Sequence, residues 1–219
     1  MEQNEVIRRP ATRKQQRAAS IEKIFDAALQ LFVSRGYRNT TVEQIANEIG
    51  LTKGAVYFYF RTKEAIMLRL LEQAEEIVVE RMIEDSAAAG NSARDKLVAF
   101  VHGQARLALV HPLHILLLIL VSLEFVGFGG KIEDRIRDIY QRMYQELEAI
   151  IRLGQTSGEI RADVGTRELA SMLMASHDGV FLEWYRRREE LDGRELTRAF
   201  RFVLTENVLR ETQSAPLMQ

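Results

Sequence analysis

Between positions 41 and 63 the chain gathers residue types that can handle phosphate groups and base edges. Thr41 and Thr52 bring short hydroxyls, Lys53 an ammonium, and Gly54 and Ala55 almost no side chain at all. A helix that must approach the floor of a DNA major groove needs small or hydrogen-bonding residues in its leading turn. Lys53, Gly54 and Ala55 would fill such a turn: Gly54 lets the backbone come close, and the Ala55 methyl can meet a thymine methyl. Thr41 and Thr52 each stand at an expected helix start, where a hydroxyl or a free amide can turn toward a phosphate. Helix capping alone would explain the same two residues.

Other chemistry is thinly represented. The absence of cysteine removes disulfides, cysteine–zinc sites and thiol catalysis together. His102, His111, His114 and His177 lack the HExxH spacing, His111 and His114 flank Pro112, and no glycine-rich phosphate loop is present. No catalytic centre, metal site or cofactor is therefore expected. Charge is unevenly spread. Residues 1–65 hold 11 Lys or Arg against 7 Asp or Glu, whereas residues 66–219 hold 19 against 24. A basic N-terminal third on an acidic remainder fits a protein that meets a polyanion at one end.

The elements that must position these residues are helices. From Ser20, Ile21, Ile24, Phe25, Ala28 and Phe32 recur at the spacing of one apolar helix face, and Gly36 stops the run. Thr41 with Gln44, and Thr40 with Glu43, form capping-box patterns at the head of a short helix that carries Val42, Ile45 and Ala46. A Gly50–Leu51 turn leads to a third helix over 53–59, and Thr62 caps a fourth from Lys63 toward Ala89. Two short helices around a glycine turn outline a helix-turn-helix, with Ala46 small where they cross, although any helical hairpin has that outline. Further helices are predicted over 93–110, then from Pro112 to about Phe125, along the stripe from Ile132 to Ile151, from Leu169 to Trp184 and from Leu196 to Val208. The fold class is all-α with nine helices.

The chain's 219 residues suffice for a sizeable core. Leu113–Phe128, the longest apolar stretch, contains Ser122 and Glu124 and is short for a bilayer span. The first 19 residues are basic without an apolar run, which suits a flexible arm including Arg8, Arg9, Arg13, Lys14 and Arg17, and not a secretory signal. A cytoplasmic, non-membrane protein is expected.

Residues 20–66 resemble the N-terminal domain of the TetR family of bacterial transcriptional regulators. The matching text is Ile24–Phe32, Arg35-Gly36-Tyr37, Thr40-Thr41-Val42, Ile45-Ala46, Gly50–Phe60 and Lys63-Glu64. The resemblance implies a helix-turn-helix head over 20–66 and a ligand-binding and dimerisation domain over 67–219. Tyr57 and Lys63 match family positions that grip the phosphate backbone, and Val56 and Phe60 are expected in the small core. A homodimer reading a palindromic site in double-stranded DNA follows, since one helix-turn-helix makes few contacts. The last two helices are expected to form a four-helix bundle with a partner's pair.

Such proteins also hold a small-molecule pocket among their middle helices. The lining expected here is Leu107, Leu113, His114, Leu117, Val121, Phe125, Phe128, Met143, Leu147, Met172, Ser176 and Trp184, each of which ordinary core packing would also explain. An apolar lining with few polar handles suits a long, hydrophobic effector. The text from His111-Pro112-Leu113 through Leu123-Glu124-Phe125 is similar to that of acyl-CoA-responsive members. Arg106 and Arg186–Arg188 could meet a CoA phosphate or simply face solvent. The expected function is a repressor released by such an effector. Alternatives are a DNA-binding protein of chromosome organisation or division control that answers to a protein partner, and a helical scaffold or enzyme whose head does not bind DNA.

Overall fold

The computed structural model describes residues 12–209, so Arg8 and Arg9 of the expected arm lie outside the described residues. The elements are α1 (Arg13–Arg35), α2 (Val42–Glu48), α3 (Lys53–Tyr59), α4 (Lys63–Ala74), a π-helical turn (Glu75–Glu80), α5 (Arg81–Ala88), α6 (Ala93–Val110), α7 (Pro112–Glu124), α8 (Lys131–Ser157), α9 (Thr166–Arg186) and α10 (Gly193–Val208). The π-helical turn joins α4 to α5 without a break, so the described residues form nine helical rods, as the periodicity predicts. The chain divides into two compact units at Leu70 and Leu71, inside α4.

α1 starts at Arg13, within the segment expected to be an arm. The Thr12 hydroxyl accepts from Gln15 N at 3.3 Å, and Gln15 Oε1 accepts from Thr12 N at 2.8 Å. That capping box opens a run of Arg, Lys, Gln and Ala, all good helix formers. The missing apolar residues mean only that these turns bury nothing.

In the first unit, α1 buries Ile24, Phe25, Ala28 and Phe32, α2 buries Val42, Ile45 and Ala46, and α3 buries Val56. Gly50 takes a left-handed φ of 68°, which only glycine adopts freely, and Leu51 N donates to Ala46 O at 2.9 Å to close the turn between α2 and α3. Of the two capping patterns, Thr41 with Gln44 forms. Thr40 turns inward instead. Its buried hydroxyl lies 2.9 Å from Gly36 O and 3.2 Å from Leu31 O, at the end of α1.

The second unit is organised by α6 and α8. The stripe Ile132, Ile136, Ile139, Met143, Leu147, Ile150 and Ile151 is buried along α8. Near the helix end a Cβ on Gly154 would lie 2.5 Å from Ile160 Cγ1 and 2.9 Å from Ala93 Cβ, so only glycine allows this approach. The π-helical turn brings Glu75 inside, where Arg135 and Arg142 of α8 both pair with its carboxylate. A buried carboxylate without such partners would be strongly destabilising.

Candidate nucleic-acid interface and effector site

α3 has one buried side chain, and its other face is open. Thr52 Oγ1 accepts from Ala55 N at 3.1 Å and starts the helix. Val56 is fully buried, Ala55 is half-buried, and Lys53, Gly54, Tyr57 and Phe58 are exposed, Gly54 and Phe58 on the side away from Val56. A Cβ added to Gly54 would meet only Thr52 Oγ1, at 4.0 Å, so no internal packing demands a glycine there. Tyr57 is 41% exposed and Phe58 78%. Sequence reasoning passed over Phe58. The available signal was its position: it lies two residues after Val56, on the Gly54 side of the helix.

The cap of α2 is complete, with Thr41 Oγ1 accepting from Gln44 N at 3.2 Å and Gln44 Oε1 accepting from Thr41 N at 2.8 Å. Thr41 remains exposed beside the free amides of the first turn. Lys63 is more occupied than its sequence match suggests. Its Nζ donates to Tyr37 O at 2.7 Å and to Thr40 O at 2.8 Å, and it lies 4.0 Å from the centre of the Tyr37 ring. Lys63 therefore ties the loop between α1 and α2 to the start of α4, and an ammonium has only three hydrogens to give.

The expected effector lining disperses. Phe128 and Met172 are each 63% exposed, Phe128 in the turn after α7 and Met172 on the outer face of α9, so neither reaches an interior pocket. Leu117, Val121, Met143 and Leu147 are buried core residues of α7 and α8. Leu113, His114, Phe125 and Ser176 are half-buried. Leu107 borders a cleft of about 350 Å³ with Arg106, Val110 and His111. Trp184 lines a separate narrow slot with Val101, Gln104, Phe181 and Phe200.

The family model described as bacterial regulatory proteins, tetR family, matches residues 24–70, and that of BetI-type transcriptional repressors, C-terminal, matches 130–208. The crystal structure of the MbdR regulator from Azoarcus sp. CIB is 54% identical, covering 84% of this chain and 96% of that one with a TM-score of 0.78. The chain belongs to the tetR family. It is a DNA-binding transcriptional regulator. The fatty acid metabolism regulator protein of Bacillus subtilis (strain 168) is 28% identical over 78% of this chain and 86% of its own length. The crystal structure of a FadR regulator from Bacillus subtilis in complex with stearoyl-CoA is 26% identical, with a TM-score of 0.67, and covers 84% of this chain and 96% of that chain.

Within this tetR-family chain the second unit carries a polar seam through its core. Gln104 Nε2 lies 2.6 Å from His177 Nδ1, and Asp178 Oδ1 lies 3.5 Å from the same ring nitrogen. His177 Nε2 is buried without a hydrogen-bond partner among the described residues. Burial holds the His177 imidazole below its usual 6.5, against the opposing bond and charge of Asp178. Asp178 Oδ2 in turn accepts from Tyr140 at 3.4 Å, and burial, then the Asp178 charge, pushes the Tyr140 hydroxyl well up. No group of three or more His, Asp or Glu among the described residues is placed to hold a metal ion. No single described helix is long and apolar enough to cross a membrane.

Proposed function

We propose that this chain is a dimeric cytoplasmic repressor that leaves a palindromic operator when a hydrophobic effector of the acyl-CoA class binds its C-terminal unit. The observation that carries the DNA reading is the exposure of Lys53, Gly54, Tyr57 and Phe58 on α3, a helix held by Val56 alone. Lys53 and Tyr57 suit phosphates or base edges, and Gly54 and Ala55 let the helix sit deep in the groove. Thr41 and Thr52 present helix N-termini, and Lys63 matches a family position that grips the phosphate backbone. No enzymatic step is assigned to the chain, in keeping with the regulators it resembles.

One such head contacts a short half-site, and a two-fold pair one DNA turn apart supplies the rest of the specificity. Two exposed stripes support the dimer: Met172, Ala175 and Gly179 on α9, and Ala199, Phe202 and Val203 on α10. The effector class rests on the stearoyl-CoA complex of the Bacillus subtilis relative. An effector that favours the dimer with misplaced heads must prefer it by several kcal/mol to switch binding off strongly.

Selection of duplexes from a random pool by the purified protein, repeated with palmitoyl-CoA, tests the reading. A palindrome that palmitoyl-CoA releases is the expected result. A palindrome indifferent to palmitoyl-CoA removes the effector class, and no enriched duplex at low salt removes the operator.

A further inference from the structure

The face of α10 that looks toward α6 carries more positive charge than its surroundings neutralise. An open cleft of about 460 Å³ is lined by His102 and Arg106 of α6 and by Arg194, Arg198 and Arg201 of α10, with no Asp or Glu in its wall. Arg106 pairs with Asp85, Arg198 pairs with Glu195, and the Asp192 carboxylate at the start of α10 interacts electrostatically with Arg194 and Arg198. Arg194 and Arg201 make no ion pair among the described residues. Positions 194, 198 and 201 repeat on one helix face, where like charges repel. His102 registers that field: desolvation, and then the charge of Arg201, hold its imidazole below the usual value.

The cleft continues into the slot beside Trp184, and the two share Ala105, Leu109, Gly193 and Thr197. Its inner walls are Val101, Phe181 and Phe200, and Gln104 supplies a carboxamide. The free space inside is about 30 Å³, room for little more than one methylene or water. A longer group must lift α10, of which only Leu204 and Val208 are buried.

We propose that this cleft binds the phosphate-bearing end of an amphiphilic effector, whose apolar portion enters the slot between α6 and α10. Several guanidinium groups spread along a helix match a ligand with more than one phosphate better than a single carboxylate, which one arginine fork would satisfy. The inference rests on the reading that a small amphiphile controls this regulator. It keeps Trp184 and Arg106 from the sequence reading and leaves out the other residues of the expected middle-helix lining.

Trp184 is the chain's single tryptophan, so its emission reports on the slot. The full-length protein is titrated with palmitoyl-CoA, with CoA alone and with palmitate, following Trp184 emission and the heat of binding. Palmitoyl-CoA is expected to shift the emission and to bind more tightly than palmitate. Arg194→Gln with Arg201→Gln, the first exposed and the second half-buried, should weaken palmitoyl-CoA binding roughly tenfold or more and leave palmitate unaffected. Palmitoyl-CoA that binds with Trp184 silent and the double variant unchanged overturns this site and leaves the effector class standing. No heat and no emission change with any acyl-CoA overturns both. If the double variant loses duplex binding at low salt while keeping palmitoyl-CoA, the arginine face serves DNA, and the proposal fails.

Discussion

The two units bury their residues by different rules. In the head, from α1 through the start of α4, the local signals nearly all have one outcome: Thr41 and Thr52 cap, Gly50 turns, and α3 buries one side, with Thr40 the exception. In the second unit an apolar residue at helical spacing can face the core, a cleft or a second subunit, and nothing within a few residues decides among them. Local chemistry thus specifies the part that must fit an invariant partner, the DNA duplex. Long-range packing specifies the part that must fit a variable one.

The largest effect is expected at the outer faces of α9 and α10, where a change reaches operator binding only through loss of the second subunit. Met172→Asp with Phe202→Asp should give a folded monomer and lower operator affinity by about a hundredfold or more, because each head then binds alone. Sedimentation and operator titration would read this, and a surviving dimer would place the subunit contact elsewhere. Ala46→Leu should destabilise the head by about 1–3 kcal/mol through overpacking at the α2–α3 crossing, seen as an earlier urea transition while the dimer persists. Phe58→Ala should change stability by no more than about 0.5 kcal/mol yet weaken operator binding about tenfold. Equal affinity would remove Phe58 from the interface.

Lys63→Ala sharpens the division further, since it tests one residue in two roles. It should reduce head stability by about 1 kcal/mol through the lost bonds to Tyr37 and Thr40. It should also lower the salt slope of DNA binding by about one if its ammonium meets a phosphate. An unchanged slope would leave Lys63 purely structural. The smallest expected effect lies in the second unit. Folding weakens the proton affinity of His177, so its contribution to stability is complete above 6.5 and is lost as pH falls through the lower folded value. Melting temperature should therefore drop more between about pH 7 and about pH 5 in the wild type than in His177→Gln. Parallel curves would show that His177 titrates normally.

The fold was legible because its signals are periodic and local: the α8 stripe, Pro112 at the first turn of α7, and the threonine caps all read directly from spacing. The start of α1 was not, because a helix that buries nothing has no apolar period, and only Thr12 with Gln15 announces it. On α3 the small leading residues were legible and Phe58 was not, since aromatic type suggests core until the neighbouring turn shows which way it faces. Met172 and Phe128 look like pocket residues by type. Their exposure follows from how α9 packs and where the chain turns after α7, and neither is written within reach of those residues. The arginines of α10 line a cleft only where α6 closes over one side.

α10 presents three faces to three kinds of neighbour: Leu204 and Val208 to the unit's own core, Arg194, Arg198 and Arg201 to the cleft, and Phe202 and Val203 outward. So few buried side chains anchor sixteen residues only lightly, and local opening of this helix costs a fraction of global unfolding. In hydrogen exchange its amides would trade protons ahead of those of α8, which buries seven large apolar side chains and Gly154 along its length. Slowed exchange confined to α10 would then serve as a footprint of whatever docks there, whether a small molecule on one side or a second subunit on the other.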